Sequence, residues 1–147
     1  MLFFVFMLIR KAKIKEIARH LEAGKICFIH RKKGTIKTIE DLSEGAATEA
    51  WKKEFQALEK DTKQYMKIPR MSDLDEINAM KDFLEQEDMI PKAVRKELLN
   101  ALKRKQPLRN FLQVVNSGEE IQQYWLNFKS KWNQNWVANY FIDAYNY

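Results

Sequence analysis

One cysteine, four glycines, three prolines and two histidines are all that this 147-residue chain holds of those residue types. A lone thiol, Cys27, cannot close a disulfide within the chain, so the pattern of a small disulfide-stapled secreted domain is excluded and a cytoplasmic, reducing setting is expected. So little Gly and Pro excludes a collagen-like chain or a low-complexity disordered one. Long apolar runs are also missing. The longest membrane-like stretch, residues 1–9, is less than half of the roughly 20 residues a helix needs to cross a bilayer. Its positive charges, Arg10, Lys11 and Lys13, come after it, the reverse of a signal peptide. Neither a membrane span nor export is expected.

What is present is 46% apolar and 31% charged residues, enough for one packed core with a solvated surface. The expectation is a single domain over residues 1–147, of class α+β. In it an N-terminal helix and small antiparallel sheet (10–70) precede a C-terminal helical bundle (71–147). Residues 1–9 stand apart as an apolar extension. Met7 offers a second start, which would leave residues 1–6 outside the native protein; the competing reading is a short arm packing on the domain or on a second copy.

Local patterns place the elements. Ile14, Ile17, Ala18 and Leu21 fall at i, i+3, i+4 and i+7, one stripe of a helix over residues 10–23, which Gly24 stops. Ile26-Cys27-Phe28-Ile29-His30 and Thr35-Ile36-Lys37-Thr38-Ile39 are β-prone runs joined by Arg31-Lys32-Lys33-Gly34, which predicts a hairpin. Helical spacing of Ala47, Ala50, Trp51, Phe55 and Leu58 predicts a helix over residues 46–63, and Tyr65 to Pro69 adds a candidate third strand at the sheet edge. Ser72 with Asp75 signals a helix start, as does Ser117 with Glu120. Pro91 and Pro107 suit first helical turns. From Ser117 onward Ile121, Trp125, Phe128, Trp132 and Trp136 mark a long amphipathic helix.

The net charge of +6 is uneven: residues 1–39 carry +8, 40–64 carry −3, 65–88 carry −4, 89–117 carry +6 and the remainder −1. Phosphate binding needs several cations on one face. Lys11, Lys13, Lys15, Arg19, Arg31, Lys32 and Lys33 would supply them if helix and hairpin lie side by side. The plainer account is that basic blocks meet acidic ones or hydrate the surface. Phe28 is the only ring in the hairpin, against the several that stack single-stranded bases. The cations Lys103, Arg104 and Lys105 suit the dipole at a helix C-terminus.

Catalytic and metal signatures are scarce. The chain has no glycine-rich phosphate loop, G-x-S-x-G, H-E-x-x-H or paired cysteines. Cys27 and His30 are three apart, and on a strand such residues face opposite ways. Cys27 as a nucleophile, with His20 or His30 as base, would need an open electropositive site. Asp73, Asp75 and Glu76 resemble the start of a cation loop, but the glycine and glutamate positions of the calcium loop hold Asn78 and Leu84. No catalytic, cofactor or metal residue is therefore assigned. Tyr124, Trp125, Phe128, Trp132, Trp136, Tyr140, Phe141, Tyr145 and Tyr147 crowd into 24 residues, more than one helical stripe can hide. Trp125, Trp132, Trp136 and Tyr140 are thus the candidate anchors for a partner protein or a second copy.

Met80-Lys81-Asp82-Phe83-Leu84, Leu98-Leu99-Asn100-Ala101-Leu102, Pro107-Leu108-Arg109-Asn110-Phe111, Tyr124-Trp125-Leu126-Asn127-Phe128-Lys129 and Trp136-Val137, in that order, resemble an uncharacterised family of short bacterial proteins of unknown function. The resemblance covers residues 13–137 and is best in the C-terminal helical half. Members often carry Phe after the proline and Lys after the later Phe, where this chain has Leu108 and Leu112. The resemblance implies a bacterial, cytoplasmic, single-domain protein and brings no activity or site residues. Together these observations favour a non-enzymatic protein-interaction or regulatory protein, the alternative being nucleic-acid binding through the basic helix and hairpin.

Overall fold

A computed structural model describes residues 11–42 and 45–145. The apolar extension at residues 1–9, and Tyr147 of the aromatic run, lie outside the described residues. The chain divides into two compact units, one made of residues up to Arg70 together with those from Gln134 onward, the other spanning Met71–Asn133.

In the first unit the order is α1 (Lys11–Glu22), β1 (Lys25–His30), β2 (Ile36–Glu40), α2 (Glu49–Lys60) and β3 (Tyr65–Ile68). The stripe read from the sequence is the buried face of α1: Ile14, Ile17, Ala18 and Leu21. Gly24 ends it at φ +85° and Gly34 closes the hairpin turn at φ +69°, left-handed positions that suit a residue without a Cβ. All pairing is antiparallel, with β1 in the middle of the order β2-β1-β3. Alternation then sends β1 side chains to two cores. Cys27 and Ile29 join Met66, Ile68 and α1, closed by Val137 and Phe141. Ile26 and Phe28 join Ile39 and Leu58 under the half-buried rings of Trp51, Phe55 and Tyr65.

Helix α2 is shorter than its pattern predicts. Thr48 Oγ1 accepts from the Trp51 amide at 3.1 Å and fixes the start. At the other end Asp61 Oδ1 accepts from the Gln64 amide at 3.2 Å, turning the chain into β3.

The second unit begins with α3 (Asp73–Gln86), where Ser72 and Asp75 form the expected reciprocal cap. Helix α4 (Lys92–Lys103) has Pro91 as its N-cap, one position before the first turn. Gln106, left-handed at φ 57°, delivers Pro107 to the first position of α5 (Pro107–Val115). The long α6 (Glu119–Tyr145) follows, and the division between units falls within it. Its expected Ser117–Glu120 cap does not form: the helix starts at Glu119, and Ser117 Oγ donates to the Val114 carbonyl at 2.6 Å, closing the preceding helix instead. The core gathers Ala79, Met80, Phe83, Leu98, Phe111, Val115, Ile121 and Trp125.

Candidate functional site

The C-terminal rings are largely engaged. Trp125 is 5% exposed and sits edge-on to Phe83 and Phe111, 5.2 Å from each. Trp132 is half-buried and its indole N–H donates to Asp82 Oδ2 at 2.8 Å. Trp136 and Tyr140, also half-buried, stack at 5.5 Å, and the Tyr140 hydroxyl donates to the Lys67 carbonyl at 3.1 Å. Indole and phenol groups buried this far need polar partners. Trp132 and Tyr140 find theirs inside their own unit.

The basic residues fall into three places. Lys13 Nζ donates to the Gly34 carbonyl at 2.7 Å, so α1 does lie beside the hairpin turn. At about 100° per residue, however, Lys11 and Lys15 lie on the flank of α1 opposite Lys13, with Glu22 between them and Arg19 further round. The turn is itself organised: His30 Nδ1 accepts the amides of Lys32 and Lys33 at 3.2 and 3.0 Å. Arg31 Nε is spent on the Thr62 carbonyl at 2.8 Å. Lys11, Lys15, Arg19, Lys32 and Lys33 are exposed, with the helix pair Lys11 and Lys15 turned away from the turn pair Lys32 and Lys33.

The reactive residue types separate in the same way. Cys27 is fully buried, and burial, reinforced by Glu16, pushes its thiol up to about 12 despite Lys25. It packs among the α1-side core, whereas His30 meets the ring of Tyr65 at 5.3 Å on the other sheet face. Among the acids, Asp75 serves the helix cap and Glu76 Oε2 pairs with Lys129 Nζ at 2.9 Å. Lys129 also donates to the buried Asn133 Oδ1 at 2.8 Å. These acids hold the fold together.

One surface was not anticipated. Leu84, Leu99 and Leu102 line an open groove of about 470 Å³ between α3 and α4, rimmed by Lys81, Glu85 and Lys103. Arg95 closes one end, its guanidinium donating to the carbonyls of Leu84 and Glu87; a cation there satisfies the open end of α3. Leu99 is 44% exposed, whereas Leu98 is fully buried. The signal was in the sequence: adjacent leucines lie about 100° apart on a helix, so one stripe cannot hold both.

No curated protein and no solved structure matches the chain. Its sequence does match the profile of one catalogued family over residues 5–145, beyond both ends of the region that carried the resemblance. This chain therefore belongs to the uncharacterised protein family UPF0158.

Proposed function

We propose that the protein is a non-enzymatic interaction module whose α3–α4 groove receives an amphipathic helix, apolar along one stripe and acidic beside it. The observation that carries this is Leu99, nearly half exposed beside Leu84 and Leu102 in an open groove. An exposed leucine alone is ordinary. Three convergent leucines with lysines on the rim suit a helix-in-groove partner, whose spaced apolar anchors fill the floor while its carboxylates meet Lys81 and Lys103. The half-exposed edges of Trp132, Trp136 and Tyr140 are secondary candidates for contact.

The test is a chemical-shift titration with a synthetic helical peptide bearing Leu at i, i+3, i+4 and i+7 and Glu elsewhere. Shifts should centre on Leu84, Leu99 and Leu102 and vanish in Leu99→Glu with the fold retained. Absence of shifts at the groove overturns the reading.

The second reading, nucleic-acid binding, rests on the exposed turn cations Lys32 and Lys33, with Lys13 of α1 held at the same turn. It predicts binding of a single-stranded oligonucleotide that weakens steeply between about 50 and 200 mM salt and is lost in Lys32→Ala/Lys33→Ala.

A further inference from the structure

Two polar stripes face each other beside the turn that joins α4 and α5. Glu97, Asn100 and Arg104 follow at i, i+3 and i+7 along α4 into its C-cap, and Asn110, Gln113 and Ser117 keep the same spacing along α5 and just past its end. Stripes so placed normally carry the apolar side chains that close a seam between helices. Here the seam opens instead into a cleft of about 440 Å³, floored by buried Ala101 and half-buried Val114. That volume lies in the range of small-ligand sites. The turn end of the cleft is fixed, because the Asn110 side-chain amide donates to the Lys105 carbonyl at 2.7 Å. The side chains of Glu97, Asn100, Arg104 and Gln113, by contrast, make no hydrogen bond or ion pair among the described residues.

We propose that this cleft binds a short zwitterionic peptide in extended form, its C-terminal carboxylate on Arg104 and its N-terminal ammonium on Glu97. The two charges select the occupant by sign and by separation. A helix rises about 1.5 Å per residue, so the seven residues between them set the charges about 10 Å apart along α4. Three extended residues at about 3.3 Å each span the same distance. A tripeptide therefore meets both ends. Arg104 stands between Lys103 and Lys105 at the turn, and its planar fork suits a carboxylate. Between the charges Asn100, Asn110 and Gln113 offer side-chain amides, each with both donors and an acceptor, the complement of a peptide N–H and C=O. Other small ligands fit less well. No aromatic ring lines the cleft, so a nucleobase has no face to stack on. A dicarboxylate would set its second anion against Glu97, like charge against like.

A chemical-shift titration of the full chain with trialanine tests the proposal. The side-chain amide signals of Asn100, Asn110 and Gln113 should move and saturate, while those of the fully buried Leu98 and Phe111 report an unchanged fold. Each charge pair is then deleted from either side. N-acetyl-trialanine, which lacks the ammonium, and Glu97→Gln should each weaken binding about three- to tenfold. Combining the two should weaken it no further, because both remove one interaction. Trialanine amide and Arg104→Gln should behave in the same way at the other end. Glu97 and Arg104 are exposed, so both variants should fold. The proposal is overturned if about 10 mM trialanine moves none of the three amides, or if both blocked peptides bind as well as the free one. It is also overturned if acetate alone reproduces the shifts, because Arg104 would then be an anion contact and nothing more.

Discussion

Lys129 Nζ lies 2.9 Å from Glu76 Oε2, and the lysine side chain is only 11% exposed while the glutamate is 32% exposed. Removing either partner leaves the other's charge behind, and the deeper charge is the costlier to strand. Glu76→Ala should therefore destabilise the helical unit more than Lys129→Met, by about 2–4 kcal/mol against about 1–2 kcal/mol. Lys129→Met still costs something, because Asn133 loses the donor at 2.8 Å. Urea midpoints at constant m-value measure the difference. Equal losses would mean that the glutamate is no better hydrated than the lysine.

Leu98 and Leu99 test the division between core and groove. Leu98 is fully buried, so Leu98→Ala should cost about 2–5 kcal/mol. Leu99→Ala gives up a half-exposed contact and should stay within about 1 kcal/mol, while weakening the model peptide's binding several-fold. Thermal melts read the first effect and the titration reads the second. A Leu99→Ala chain that melts as early as Leu98→Ala would place Leu99 in the core.

The stripe of α1, the hairpin, the third strand and the Ser72 cap were legible because each rests on a period or a local hydrogen bond contained in a few residues. The Ser117 cap was misread for the same kind of reason. A serine between two helices can start one or close the other, and only Val114, whose carbonyl it takes, decides. The placement of the rings needed tertiary partners. Spacing cannot say that Trp132 will find Asp82, fifty residues away. The groove was readable in part from Leu98 beside Leu99, but its second wall, on α3, was not.

Cys27 should respond to alkali rather than to reagents. Its thiol is raised from 9.0 to about 12 by burial, so at neutral pH the native chain should react with a thiol reagent only through unfolding. The sign follows from proton binding. Between pH 9 and about 12 the unfolded thiol has lost its proton and the native one keeps it, so this contribution to stability is full below 9 and is lost as pH rises. Plotted against pH, the stability difference between the native sequence and Cys27→Ala should therefore be flat below 9 and fall above it. Cys27→Ala also removes buried volume, which shifts the curve vertically without changing its slope. A difference flat through pH 11 would show a thiol that titrates normally.

Trp51 and Tyr140 each hold a hydrogen bond to an outward carbonyl at opposite edges of one sheet. Tyr140→Phe keeps the ring and deletes only the donor, so it should cost about 0.5–1.5 kcal/mol, whereas Trp51→Phe also trims the indole that stacks on Phe55 and should cost more, about 1–3 kcal/mol. With β1 between them the two sites share no partner, so the double variant should lose the sum within about 0.5 kcal/mol. Tyr140 carries a further signature. Burial raises its phenol above the ordinary 10.0, so its contribution is intact below pH 10 and declines above it, and Tyr140→Phe should lack that decline. The two substitutions should part company in exchange measurements. Trp51→Phe uncovers the Glu40 carbonyl on β2, whereas Tyr140→Phe uncovers that of Lys67 on β3 and leaves the β2 amides as they were. If Tyr140→Phe changed protection at Ile36, the two edges would be coupled through the sheet and neither ring could be treated as a local cover.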